Sequence, residues 1–207
     1  MRTHTKETQN HLTPELALDI LKEGNERFMN NIKVHRNLLQ QVNETSNGQF
    51  PFAAILSCID SRTSAELIFD QGLGDVFSIR IAGNILNEDI IGSMEFACKL
   101  SGSKLIVVLG HTTCGAIDGA CNNIQMGSVT ALLNKIKPAI EMEHETLVDR
   151  TGKNLQFVQN VTQNNVFITV EKIREQSSIL KEMEDAGQIK IVGGLHDIDT
   201  GQVTFFE

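Results

Sequence analysis

The sequence predicts an α/β fold: a central, mostly parallel sheet of about four parallel strands plus an antiparallel edge strand, with helices on both faces. Three observations carry that prediction. Short, continuous apolar runs recur at 52–57, 76–80, 104–109 and 189–192, the pattern of strands buried on both faces. Helical patterns separate these runs, and strands alternating with helices pair in parallel through right-handed crossovers. The tail 199–206 reads as a turn followed by an edge strand, which closes the sheet antiparallel.

The elements follow in order. Residues 1–12 are polar and read as a flexible arm. Thr13 is placed as a helix N-cap with Pro14 at the first helical position, and Leu16, Ile20, Leu21 and Phe28 repeat with helical spacing. A second helical stretch around 34–43 ends in the loop 44–48, so 13–43 are N-terminal helices. The first strand, 52–57, is followed by a helix near 64–70 and the strand 76–80. A helix over 87–100 leads to the strongest strand, 104–109. A helix near 128–141 comes next, then a polar stretch at 142–165 read as a long connection or exposed helix. One or more helices between 155 and 185 precede the strand 189–192. No repeat and no linker interrupts this order, so 1–207 is read as a single domain.

Composition narrows the function. A chain of 207 residues suits one α/β domain, and 41% hydrophobic residues with 16 glycines exclude disorder as the main state. The balance of 18 basic against 26 acidic residues, net −8, opposes electrostatic capture of nucleic acid. With no Trp and no Tyr, base stacking would fall to Phe alone. No apolar run has the length to cross a bilayer, and the N-terminus lacks the apolar stretch of a secretory signal. The expectation is a cytoplasmic protein acting on a small molecule, without nucleic-acid or membrane partners. Cysteines at 58, 98, 114 and 121 form no C-x-x-C pair, so metal binding, catalysis or burial come before disulfides.

Two loops carry the chemistry, each directly after an apolar run: Ser57-Cys58-Ile59-Asp60-Ser61-Arg62 and Gly110-His111-Thr112-Thr113-Cys114-Gly115. In open parallel sheets ligands sit beyond the carboxyl ends of strands, where strand order reverses. If the first and third strands are neighbours, Cys58, His111 and Cys114 converge. Two thiolates and an imidazole suit zinc, with a fourth position left for water. Both cysteines are expected to precede helix starts, where the dipole favours thiolate, and amides near Gly115 and Ala116 to bond to sulfur. Asp60 is expected to orient the nucleophile, and Arg62 to hold Asp60 off the metal by a forked hydrogen bond.

These residues resemble the β-class carbonic anhydrases. Cys58-x-Asp60-Ser61-Arg62 with Gly110-His111-x-x-Cys114-Gly115 is similar to that family's metal motifs. The runs 66–75, Arg80-Ile81-Ala82-Gly83-Asn84 and 92–97, with Asp-x-x-Thr-Gly at 197–201, extend the resemblance over roughly 14–206. It implies one zinc ion per chain on Cys58, His111 and Cys114. A zinc hydroxide, oriented by the Asp60–Arg62 dyad, would attack carbon dioxide to give bicarbonate and a proton. It implies Gln49 as a donor to the substrate and Phe77, Ala82 and Phe96 as an apolar channel, with Gly83 and Gly115 beside the substrate. It also implies a homodimer or tetramer, with N-terminal helices extending to the partner subunit. Some members close the site, in which case Asp60 would be a fourth metal ligand. Those members carry a tryptophan where Ile55 stands here, which favours the open form. Ser64-Ala65 replaces a common proline-bearing pair, and His196 stands where a tyrosine is frequent.

Simpler readings stand beside these. Cys98 belongs to an apolar helical stretch and reads as core; Cys121 reads as helix packing. His4, His11, His35 and His144 read as surface residues, His196 as a turn residue, and 141–145 as a solvated helix end. Gly72-Leu73-Gly74 lacks the third glycine and the preceding strand of a dinucleotide loop. Three alternative functions remain: hydrolysis of carbon disulfide or carbonyl sulfide on the same site, a non-catalytic zinc and bicarbonate scaffold, and a cysteine hydrolase with Cys58 as nucleophile and His111 as base.

Overall fold

Runs of β-branched and aliphatic residues become the strands of one sheet. A computed structural model describes residues 3–206, with β1 (Ala53–Ser57), β2 (Val76–Arg80), β3 (Leu105–His111), β4 (Lys190–His196) and β5 (Val203–Phe206). The strand order is β2-β1-β3-β4-β5. The first four strands are parallel and β5 runs antiparallel to β4. Every residue of β1 and β3 is buried, as the continuous apolar runs require of central strands.

The helices are α1 (Lys6–His11), α2 (Pro14–Met29), α3 (Leu38–Thr45), α4 (Ala65–Ile68), α5 (Glu88–Glu95), α6 (Gly115–Cys121), α7 (Gly127–Asn134), α8 (Lys137–Met142), α9 (Leu155–Gln176) and α10 (Ser178–Asp185). The side-chain period of two divides each strand between two cores. Ala53 and Ile55 of β1 pack on the α2 side with Leu18 and Leu21. Ala54 and Leu56 pack on the opposite side with Met94 of α5 and Val166 of α9. Thr13 caps α2 by accepting from the Leu16 amide at 3.2 Å, with Pro14 in the first turn as expected. No helix among the described residues is long and apolar enough to cross a membrane.

Several expectations need correction. Residues 1–2 of the expected arm lie outside the described residues, but 6–11 form a helix. Thr5 and Thr8 make a reciprocal capping box, and buried Gln9 donates to the carbonyls of Pro51 at 2.8 Å and Ser101 at 2.9 Å. The stretch expected at 34–43 begins at Leu38, because Asn37 is its cap and accepts from Gln40. The expected helix 87–100 is α-helical to Glu95 and widens to a π turn at Phe96–Leu100. The expected helix 128–141 breaks into α7 and α8.

The run 141–145 is not wholly solvated. Glu143 is only 2% exposed and binds Arg150, Thr146 and Asn160, which pins the connection leading into α9. Helix α9 starts at Leu155, where the helices between 155 and 185 are expected to begin, and it takes the second part of the stretch read as a long connection or exposed helix.

Candidate metal centre

The chain leaves β1 for β2 on one side and returns to β3 on the other, so the order reverses between β1 and β3. Their register, Ser57 beside Leu109, brings the two loops together. Cys58 follows β1, His111 ends β3, and Cys114 is the N-cap of α6. All three are buried, and a ligand atom from each lies within 4.8 Å of the others. The two sulfurs are 3.9 Å apart.

His111 defines the donor set. Its Nδ1 lies 2.9 Å from the Thr112 carbonyl, which can only accept. The ring proton therefore sits on Nδ1, and Nε2 carries a lone pair. That Nε2 is buried without a hydrogen-bond partner. An unpaired buried acceptor costs about 1–3 kcal/mol. Beside two sulfurs it makes a donor set that a borderline-soft cation would complete. Two zinc–sulfur bonds of about 2.3 Å at a tetrahedral angle would set the sulfurs about 3.8 Å apart, close to the spacing found. The residues fit zinc.

Charge on the sulfurs is uneven. Cys114 donates its proton toward Cys58, and this bond, opposed by burial and helped by the Gly83 amide, holds the Cys58 thiol well below its usual value. Cys114 is pushed up, first by the same bond and then by burial. A cation replacing the shared proton would favour both thiolates. The Gly83 amide donates to the Cys58 sulfur at 3.3 Å. The expectation that Cys58 precedes a helix start is overturned, since α4 begins only at Ala65; this amide takes the place of a helix dipole. On Cys114 the amides are those of Ala116 and Ile117, one residue further along than expected.

Both loops are held from behind. Thr63 donates through its hydroxyl to the carbonyls of Cys58 and Asp60, at 3.3 and 2.9 Å. Arg80, at the end of β2, donates to the same carbonyls at 3.0 and 2.6 Å. In the second loop Thr113 adopts φ 51°, an unusual conformation for a β-branched residue, as the chain turns between His111 and Cys114. The Thr112 amide donates to the His196 carbonyl at 2.9 Å, and its hydroxyl accepts from the Ile198 amide at 3.1 Å. Arg80 and Thr113 escaped the sequence reading as supports, because neither type announces a backbone role.

Asp60 and Arg62 lie on the loop that carries Cys58, more exposed than the three cluster residues. Arg62 donates from its amide and Nε to Asp60 Oδ1, both at 2.9 Å, and from Nη2 to Oδ2 at 2.7 Å. The Arg62 hydrogen bond, against a smaller effect of burial, holds the Asp60 carboxyl far below the ordinary carboxylate range.

A family model described as carbonic anhydrase matches residues 53–203. The chain belongs to the β-carbonic anhydrase family. It is similar to carbonic anhydrase 2 of Mycobacterium tuberculosis, 36% identical over 192 residues covering 91% of each chain. It is also similar to the carbonic anhydrase of Mycolicibacterium smegmatis, 31% identical over 191 residues covering 92% of each. In fold it resembles a β-carbonic anhydrase of Sordaria macrospora described as tetrameric, with TM-score 0.73, 22% identity, and coverage of 93% of this chain and 94% of that one.

Within this β-carbonic anhydrase chain the other candidates divide. Gly83 touches Cys58 through its amide, Ala82 precedes it in a single 3-10 turn, and Gly115 opens α6 beside Cys114. Phe77 and Phe96 meet edge to face, ring centres 6.4 Å apart, in a groove of about 800 Å3 shared with Ile79 and Ile90. None of the three cluster residues lines that groove. Gln49 is exposed before the entry end of β1, whereas the cluster lies beyond its exit end. His196 is not a turn residue. It is buried at the end of β4 beside His111, and burial above all lowers its pKa to about 4. Cys98 is core and Cys121 is half-buried at the end of α6; His11, His35 and His144 are exposed, while His4 packs edge-on against Phe52.

Proposed function

We propose that this chain catalyses the reversible hydration of carbon dioxide to bicarbonate and a proton, with one zinc ion held by Cys58, His111 and Cys114. The observation that carries the reading is the buried, unpartnered Nε2 of His111 beside two sulfurs, with the Asp60–Arg62 fork on the same loop as Cys58. Zinc in such a site lowers the pKa of water from about 15.7 to about 7.

The chain's own residues do the rest. A carboxylate offers about four lone-pair positions. Arg62 occupies two on Asp60 Oδ1 and one on Oδ2. The position left on Oδ2 accepts a hydrogen bond from the attacking oxygen and aims that oxygen's lone pair at carbon. The same grip keeps Asp60 from becoming a fourth ligand, which supports an open resting site. Ile85, Ile117 and Ile136 pack around the two cysteines and suit an apolar substrate better than a charged one.

The approach to the site is completed by a second copy of the chain. Gln49 cannot serve the cluster of its own chain from the far end of β1, so a donor at that position implies a partner. β2 is an edge strand, and Phe96 beside it is 53% exposed. Both support a homodimer.

Metal analysis and stopped-flow hydration test the reading. About one zinc per chain and faster acidification of carbon dioxide solution are expected. Zinc-loaded protein inactive from neutral to alkaline pH would overturn it. Assays with carbon disulfide and carbonyl sulfide would then separate another substrate from a non-catalytic scaffold.

A further inference from the structure

We propose that Asn165 is a positioning residue of the metal centre: from α9 it holds the Gly83 residue whose amide donates to the Cys58 sulfur. The inference rests on the metal reading above.

Asn165 is 3% exposed, and its Nδ2 donates to the Gly83 carbonyl at 2.9 Å. Gly83 in turn donates its amide to Cys58 Sγ at 3.3 Å. Gly83 has φ 67° and no side chain to anchor it, and a Cβ there would lie 3.0 Å from Ile136 and 3.2 Å from Ala116. Glycine is the most conformationally free residue, so its orientation must come from its backbone partners. The Asn84 amide closes the turn on the Ile81 carbonyl, and Asn165 fixes the carbonyl on the other side of Gly83. A side chain 82 residues away along the chain thereby sets the direction of an N–H aimed at a ligand sulfur.

That N–H acts on the metal through the thiolate. A hydrogen bond to sulfur draws electron density from it, and partners behind a ligand typically change metal affinity about 10–100-fold when removed. Losing the bond leaves sulfur a stronger electron donor, so a sulfur-to-metal charge-transfer band moves to lower energy. Asn165 also lines a cavity of about 600 Å3 with Ile85 and Thr169, so a changed side chain there has space beside it.

The test uses the full chain, freed of metal and reloaded with cobalt or zinc. Asn165→Leu and Asn165→Ala both remove the donor, and the alanine adds no bulk should leucine not be tolerated. Thr169→Val, one turn along the same buried face, controls for helix packing. Expected in both Asn165 variants are a sulfur-to-cobalt band at longer wavelength and a zinc dissociation constant raised about 10–100-fold by chelator competition. Thr169→Val should match the wild type. Folded Asn165 variants with wild-type band position and zinc affinity would overturn the proposal. A wild-type chain that takes up neither cobalt nor zinc would defeat the metal reading itself, a distinguishable failure.

Discussion

Arg62 holds Asp60 by three hydrogen bonds, two from its guanidinium and one from its own amide, so the carboxylate and its partner turn as one unit. A carboxylate gripped in this way is free to orient a nucleophile but not to seek a metal. Asp60→Asn replaces an oxygen with a donor and breaks the fork. Turnover should fall roughly a hundredfold, as misorientation of that order costs, while zinc content is unchanged. Stopped-flow hydration with metal analysis checks it; wild-type turnover would remove the dyad from the mechanism.

Cys114 is both a cluster member and the N-cap of α6, so metal and local structure are linked there. Cys114→Ser should lose zinc and melt at a lower temperature, because a metal bound only by the folded state stabilises it. A chelator should lower the melting temperature of the wild type and leave the variant where it is. A fully zinc-loaded variant would contradict this.

Asp70 ties the N-terminal segment to α4's end. It accepts from Arg27 at 2.6 Å, Arg36 at 2.5 Å and the Val34 amide at 3.2 Å. Burial works to raise its pKa, but these bonds together lower it below the usual 3.8. Asp70→Asn strands the buried Arg36 and should cost about 3–5 kcal/mol at neutral pH. The sign follows from the depressed value. The contribution is complete above pH 3.8 and is lost as pH falls through the lower folded pKa. Urea unfolding of both proteins should show the gap closing in acid; a constant gap would refute the assignment.

Gln9 fastens α1 to the entry side of the sheet through Pro51 and Ser101. Gln9→Ala should cost about 1–3 kcal/mol, since it leaves a buried carbonyl short of a donor. That corresponds to a melting temperature lower by several degrees. An unchanged melting temperature would mean α1 adds nothing to stability.

Much of this was legible in the sequence because it depends on neighbours along the chain. The four apolar runs marked β1 to β4, and the turn and strand read at 199–206 marked the antiparallel edge β5. The loops after β1 and β3 marked Cys58, Asp60, Arg62, His111 and Cys114, because chemistry-bearing types stood directly beyond buried strands. Helix α1 was missed because its anchor, Gln9, is an ordinary polar residue whose partners are 42 and 92 positions away. Glu143 was missed in the same way, since an acidic run looks solvated until Arg150 and Asn160 are folded onto it.

The sequence by itself determined which atoms are available to a cation and which strands carry them, because residue type and periodicity are local properties. Only the tertiary structure decided that β1 and β3 lie side by side, that Arg80 and Thr63 hold the first loop, and that Asn165 reaches Gly83. Those are hydrogen bonds to backbone groups, which every residue possesses, so no residue type advertises them and only packing selects which are made.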